Sequence, residues 1–215
     1  MAAYLKGMSL NSRSFDFSRF EFAPVIDLPE RYDVYDFTSG YDPERTRASL
    51  YGIGRYNEKR KGMYVTELFS GNSEDREEPR DIHVGIDIAA PVGTEVKAFA
   101  DGVVYLAGIN SAPGDYGGTL ITEHRLGDRT LWALHGHLSH ASTTRFAPGE
   151  RVRQGQVIAT IGGPAENGGW NPHLHFQLSW LRPEKCDLPG VVAESRRAWA
   201  LEVFPDPRLV LGPLY

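Results

Sequence analysis

The chain has 215 residues, is 41% hydrophobic and carries a formal net charge of −5. That suffices for one good core with elaborations, and the mild acidity argues against a nucleic-acid binder or a protein held on an anionic membrane. A single cysteine, Cys186, excludes an internal disulfide framework and a thiolate metal cluster, and no apolar run is long enough for a membrane-spanning helix.

The N-terminal stretch lacks the apolar segment of a secretory signal, so the expected location is cytoplasmic. Residues 1–70 interleave aromatics (Phe15, Phe17, Phe20, Phe22, Tyr32, Tyr35, Phe37, Tyr41) with charges and turn residues. Such aromatic density opposes disorder and predicts an extended segment wrapped around a core further on. Asp42 is placed to cap a short helix with Pro43 at its first position and Glu44 in its first turn. Tyr56–Phe69 fits a strand or a helix. Residues 70–80 read as a polar, charged loop and a boundary.

From Asp81 short β-branched and apolar runs alternate with glycine turns. Strands are expected over 82–88, 94–100, 102–108, 118–124, 130–136, 156–161 and 173–180, with Leu126–Arg129 as a hairpin turn. Pro91, Gly93, Val96 and Gly102-Val103-Val104 recur loosely as Pro148, Gly149, Val152 and Gly155-Gln156-Val157. That is either a weak internal repeat or ordinary hairpin chemistry used twice. Past Trp180 the β pattern stops. Val191–Val203 has helical spacing, and 204–215 reads as an extended apolar tail. The expected organisation is an N-terminal extension over 1–78, a β domain over 79–181, and a C-terminal helix and tail over 182–215.

Three motifs carry the chemistry. In Asn171–Leu178 (NPHLHFQL), His173 and His175 are two apart and share one face of a strand, while Leu174 and Phe176 face a core. His83 and Asp87 are four apart, about 13 Å along straight extended chain, so they meet only if the strand bends, and Gly85 permits a bend. Leu134–Ser139 (LHGHLS) carries His135 and His137. Five of the seven histidines lie in these motifs, and His124 and His140 are left as structural or surface residues. A catalytic zinc takes three protein ligands and keeps one open position, where its Lewis acidity acidifies a water. HExxH is absent, so histidines beside the metal are the natural proton acceptors and donors.

With His83/Asp87, His137 in a GHLS context and His173/His175 in PHLHF, the chain resembles the lysostaphin/LytM-type zinc metalloendopeptidases (peptidase family M23). Ile82–Val104 is similar to the family's first block, Gly118–His124 with Leu131–Ser139 to its middle block, and Arg151–Gly163 with Pro172–Gln177 to its last. The likeness covers roughly residues 80–180. It implies a mainly β fold, an antiparallel sheet groove of the duplicated hybrid motif type, which would account for the repeat. It implies that His83, Asp87 and His175 bind one zinc per chain and that His137 and His173 are catalytic. It implies hydrolysis of peptide (amide) bonds, in peptidoglycan-derived or other short peptides, with no nucleic-acid or membrane partner. Three positions depart from the pattern. Gln177 replaces a usual Glu, His135 a common tyrosine, and Trp170 closes an enlarged loop, Gly162–Trp170. His135, Trp170 and Gln177 are the candidate substrate contacts. The flanks 1–80 and 181–215 lie outside the general pattern and resemble a cytoplasmic-type branch. A second reading is a non-catalytic scaffold that binds a partner in the same groove. It predicts missing ligands, whereas all five motif residues are present. A histidine phosphocarrier, suggested by fold relationship alone, would not need Asp87.

Overall fold

The computed structural model describes residues 15–70 and 78–215. In chain order the elements are β1 (Asp33–Val34), α1 (Pro43–Ala48), β2 (Gly52–Gly54), β3 (Glu58–Lys59), α2 (Glu67–Ser70), β4 (Arg80–His83), β5 (Ile86–Ala89), β6 (Glu95–Lys97), β7 (Gly102–Asn110), β8 (Gly117–Leu126), β9 (Arg129–Leu138), β10 (Arg151–Val152), β11 (Val157–Thr160), β12 (His173–Ser179), β13 (Val191–Ala193), α3 (Arg197–Val203) and α4 (Arg208–Leu211). Eight strands join in the order β1-β2-β5-β12-β9-β8-β7-β10. All neighbours in that sheet are antiparallel except β1 and β2. β13-β4-β3 and β11-β6 form two smaller sheets.

Strand alternation builds two cores. Leu120, Ala133, Leu174, Phe176 and Leu178 enter one; Ile121 and Leu134, the next residues on β8 and β9, enter the other with Ile82, Val84 and Leu188. Successive side chains of a strand point to opposite faces, so the sheet is covered on both sides. Phe15, Phe17, Phe20 and Phe22 stack on one another and reach Trp180 and Phe99. The loose repeat has a structural counterpart. β6 pairs with β11 and β7 with β10, so the first strand of each unit pairs with the second strand of the other.

Asp42 caps α1 as expected, its Oδ1 accepting from Glu44 N and Arg45 N. β8 and β9 turn through Gly127 and Asp128, with Leu126 opposite Arg129. Other expectations need correction. The strand expected over 82–88 is two strands in different sheets, broken at Val84-Gly85. Val191–Val203 is helical only from Arg197, after one 3-10 turn; Val191 and Val192 pair with His83 and Ile82 instead. Two β-branched residues with a free strand edge beside them favour the ladder over a helix. The tail contains α4 rather than remaining extended, with Val210 buried. Tyr56–Phe69 holds both β3 and α2. The expected 70–80 loop lies largely outside the described residues. No described helix is long and apolar enough to cross a membrane.

Candidate metal centre and cleft

β12 presents His173, His175 and Gln177 on one face, and Leu174, Phe176 and Leu178 to the core on the other. β5 lies alongside with Asp87 opposite His175, and cross-strand partners share a face. The break after His83 brings the third residue in. With no side chain at Gly85, His175 occupies that space: a Cβ there would meet its Cε1 at 2.5 Å and Nε2 at 2.6 Å.

Three donor atoms converge. His83 Nε2 lies 3.1 Å from His175 Nδ1 and 3.3 Å from Asp87 Oδ1, and His175 Nδ1 lies 3.0 Å from Asp87 Oδ1. Tetrahedral ligands about 2.0–2.1 Å from one zinc stand roughly 3.3–3.4 Å apart. The outer nitrogens set the tautomers. His83 Nδ1 donates to the Arg55 carbonyl at 2.9 Å, and His175 Nε2 to Gln177 Oε1 at 3.0 Å, while Gln177 Nε2 donates to Pro189 O. Burial, then the nearby Arg60 charge, pushes His83 down to about 4. Burial would raise the Asp87 carboxyl, but His83, Arg60 and the hydrogen bond with His175 outweigh it and hold Asp87 well below the usual carboxylate range. With the outer nitrogens so engaged, His83 Nε2 and His175 Nδ1 face Asp87 Oδ1 across one shared space. A cation resolves that arrangement, and the donor chemistry fits zinc.

His137 arrives by a different device. Between the Gly118–Leu138 and Leu120–His135 pairs, β9 has one residue more than β8, a β-bulge. His137 sits there at φ 64°, a conformation that non-glycine residues adopt rarely. The bulge breaks the alternation and turns His137 to the His173 side, with ring centroids 4.2 Å apart. His137 Nδ1 donates to Asn167 O at 2.9 Å and His173 Nδ1 to Asn171 O at 2.6 Å, leaving both Nε2 atoms as acceptors. Burial lowers the pKa of both imidazoles, helped at His137 by its neighbours His173 and His175. His173 Nε2 lies 3.8 Å from Asp87 Oδ1.

A cleft of about 310 Å³ opens on this cluster, lined by His83, Asp87, His137, His173 and His175 and walled by Trp170 and Tyr64. Trp170 is held by its Nε1 donating to Gly114 O and packs near His137 and Tyr64. The other two candidate substrate contacts require correction. His135 is fully buried, packs on Phe176, and its Nε2 has no hydrogen-bond partner among the described residues. It lies before the bulge and so keeps the core-facing phase of β9. Gln177 is also fully buried and stands behind His175 rather than facing the cleft. Two residues near the ligands escaped the sequence reading: Tyr116, whose carbonyl holds the His137 amide, and Arg60, paired with Asp87.

Residues 81–187 match the model of Peptidase family M23. The DD-carboxypeptidase/endopeptidase Mpg of Neisseria meningitidis serogroup B is 41% identical over 96 residues, 45% of this chain and 20% of that protein. The peptidoglycan DD-endopeptidase ShyC of Vibrio cholerae is 36% identical over 131 residues, 57% of this chain and 26% of that protein. The chain thus spans about a fifth to a quarter of the length of these curated relatives. The catalytic domain of lysostaphin from Staphylococcus simulans aligns with 80% of this chain and 99% of its own, at a TM-score of 0.46 and 21% identity. Over residues 81–187 the chain belongs to Peptidase family M23, the lysostaphin/LytM type.

Proposed function

We propose that this chain is a zinc-dependent metallopeptidase that hydrolyses amide bonds in peptidoglycan-derived or other short peptides. His83 Nε2, Asp87 Oδ1 and His175 Nδ1 hold the metal, and His137 and His173 serve the reaction. The convergence of three donor atoms within 3.3 Å of one another carries the reading. When bound, zinc supplies Lewis acidity that polarises the scissile carbonyl and acidifies water. His173, nearest the ligand set, accepts the proton of the attacking water at Nε2. His173 then returns that proton to the leaving nitrogen, while His137, packed against it, presents its own Nε2 to the same space as an acceptor for the attacking water. Burial lowers the pKa of both imidazoles, which favours return of the proton to an amine. The peptidoglycan DD-endopeptidase activity in ShyC's name sets the first substrates to try. We assign catalysis to residues 79–181, with residues 60–69 and 185–191 of the flanks bounding the cleft.

The test is His173→Ala, assayed on muropeptides. Zinc content should stay at the wild-type level while turnover falls by about 10²–10⁴-fold, the usual worth of a positioned acid-base group. Undiminished turnover in the variant would remove His173 from the mechanism.

A further inference from the structure

The strands β2 and β3 flank the two strands that carry His83 and Asp87. Gly54 pairs with Asp87, and Glu58 pairs with His83. From this segment Arg60 reaches Asp87. Its Nη1 donates to Asp87 Oδ2 at 2.5 Å and to the Tyr64 hydroxyl at 3.0 Å. Its Nε donates to Glu58 Oε2 at 3.1 Å and its Nη2 to Arg55 O at 3.3 Å. The guanidinium lies 5.1 Å from the Phe37 ring centroid, and the side chain is fully buried. Space is kept for it, since a Cβ on Gly54 would stand 2.7 Å from Arg60 Nη2 and 3.1 Å from Asp87 Oδ2. Burying a guanidinium is costly unless its fork is satisfied, and here one fork serves two carboxylates, which a lysine cannot match.

The two oxygens of Asp87 are therefore divided. Oδ1 faces His83 and His175, and Oδ2 is taken by Arg60. We propose that Arg60 is a positioning residue of the metal centre, holding Asp87 as a one-oxygen ligand through Oδ1. This rests on reading His83, Asp87 and His175 as the metal ligands. Arg60 lies outside the family match at 81–187, so this chain completes its centre with a segment from its N-terminal flank. The Arg55 carbonyl that accepts from His83 Nδ1 belongs to the same segment. Without Arg60, Oδ2 is free to enter the coordination sphere or to swing the carboxylate off the metal.

Arg60→Met alone would strand Glu58 buried without its partner, so the variant to make is Arg60→Met with Glu58→Gln. Zinc affinity is measured by chelator competition, and the visible spectrum is recorded on the cobalt-loaded chain. The double variant should bind zinc about 10–100-fold more weakly, the usual loss when a ligand's outer partner is removed, with a changed cobalt spectrum. Arg60→Lys, which still offers Oδ2 a cation, should fall between. If the double variant does not fold, Arg60→Gln with Glu58→Gln is read in its place. Wild-type zinc affinity and an unchanged cobalt spectrum in a folded variant would overturn the proposal while leaving the ligand assignment standing. A wild-type chain that binds no metal would overturn the ligand assignment and this proposal with it.

Discussion

A methyl group at position 85 would stand 2.5 Å from His175 Cε1 and 3.0 Å from the Phe176 carbonyl. Backbone cannot yield there without moving β12, so the imidazole must turn and lose Asp87 Oδ1 or Gln177 Oε1. Gly85→Ala is therefore expected to weaken zinc binding by about 10-fold or more while the chain still folds, as chelator competition and circular dichroism would record. Wild-type affinity in that variant would mean that the kink does not set the ligand geometry. At this scale legibility follows the reach of local rules. The period of two in a strand makes His173 and His175 legible as a pair, and a glycine between His83 and Asp87 marks the bend. The left-handed backbone at His137 leaves no such mark, because a bulge adds a residue without changing composition. Arg60 is hidden for another reason: its partner is 27 residues away, and no local pattern connects them.

The long hairpin of β8 and β9 shows how one element serves both stability and site. It buries His124 and His135 completely. His124 Nδ1 donates to Asp101 O, and its Nε2 lies 2.7 Å from Thr122 Oγ1. Burial pushes His124 down to about 4, against about 6.5 in the unfolded chain. Below pH 6.5 the unfolded chain takes up a proton that the folded chain refuses. Stability is thus present above pH 6.5 and is lost as pH falls toward 4, by up to about 1.4 kcal/mol per pH unit for this one group. Urea melts at pH 7 and pH 5 should show a smaller loss for His124→Gln than for wild type; equal losses would contradict the linkage. The hairpin itself is legible from its turn residues. Val191–Ala193 is not, because helical spacing alone cannot see the free edge of β4 that pairs with it.

Across the whole molecule, the mainly β architecture is legible because glycine turns and β-branched runs repeat through residues 81–180. In the described part of the N-terminal flank the aromatic density and the Asp42 cap of α1 are legible; that β2 and β3 lie beside β5 and β4 depends on long-range pairing. The fold thereby closes on the candidate metal site from two directions, with His83, Asp87 and His175 from the family domain and Arg55 and Arg60 from the flank. The measurement that bears most directly on this account pairs metal content with hydrolysis. Wild type and His83→Ala are purified, zinc is counted per chain, and both are incubated with muropeptides and with short alanine- or glycine-containing peptides. The account predicts about one zinc per chain in wild type, lost in the variant together with cleavage. Zinc retained in His83→Ala, or cleavage that persists without it, would contradict the account.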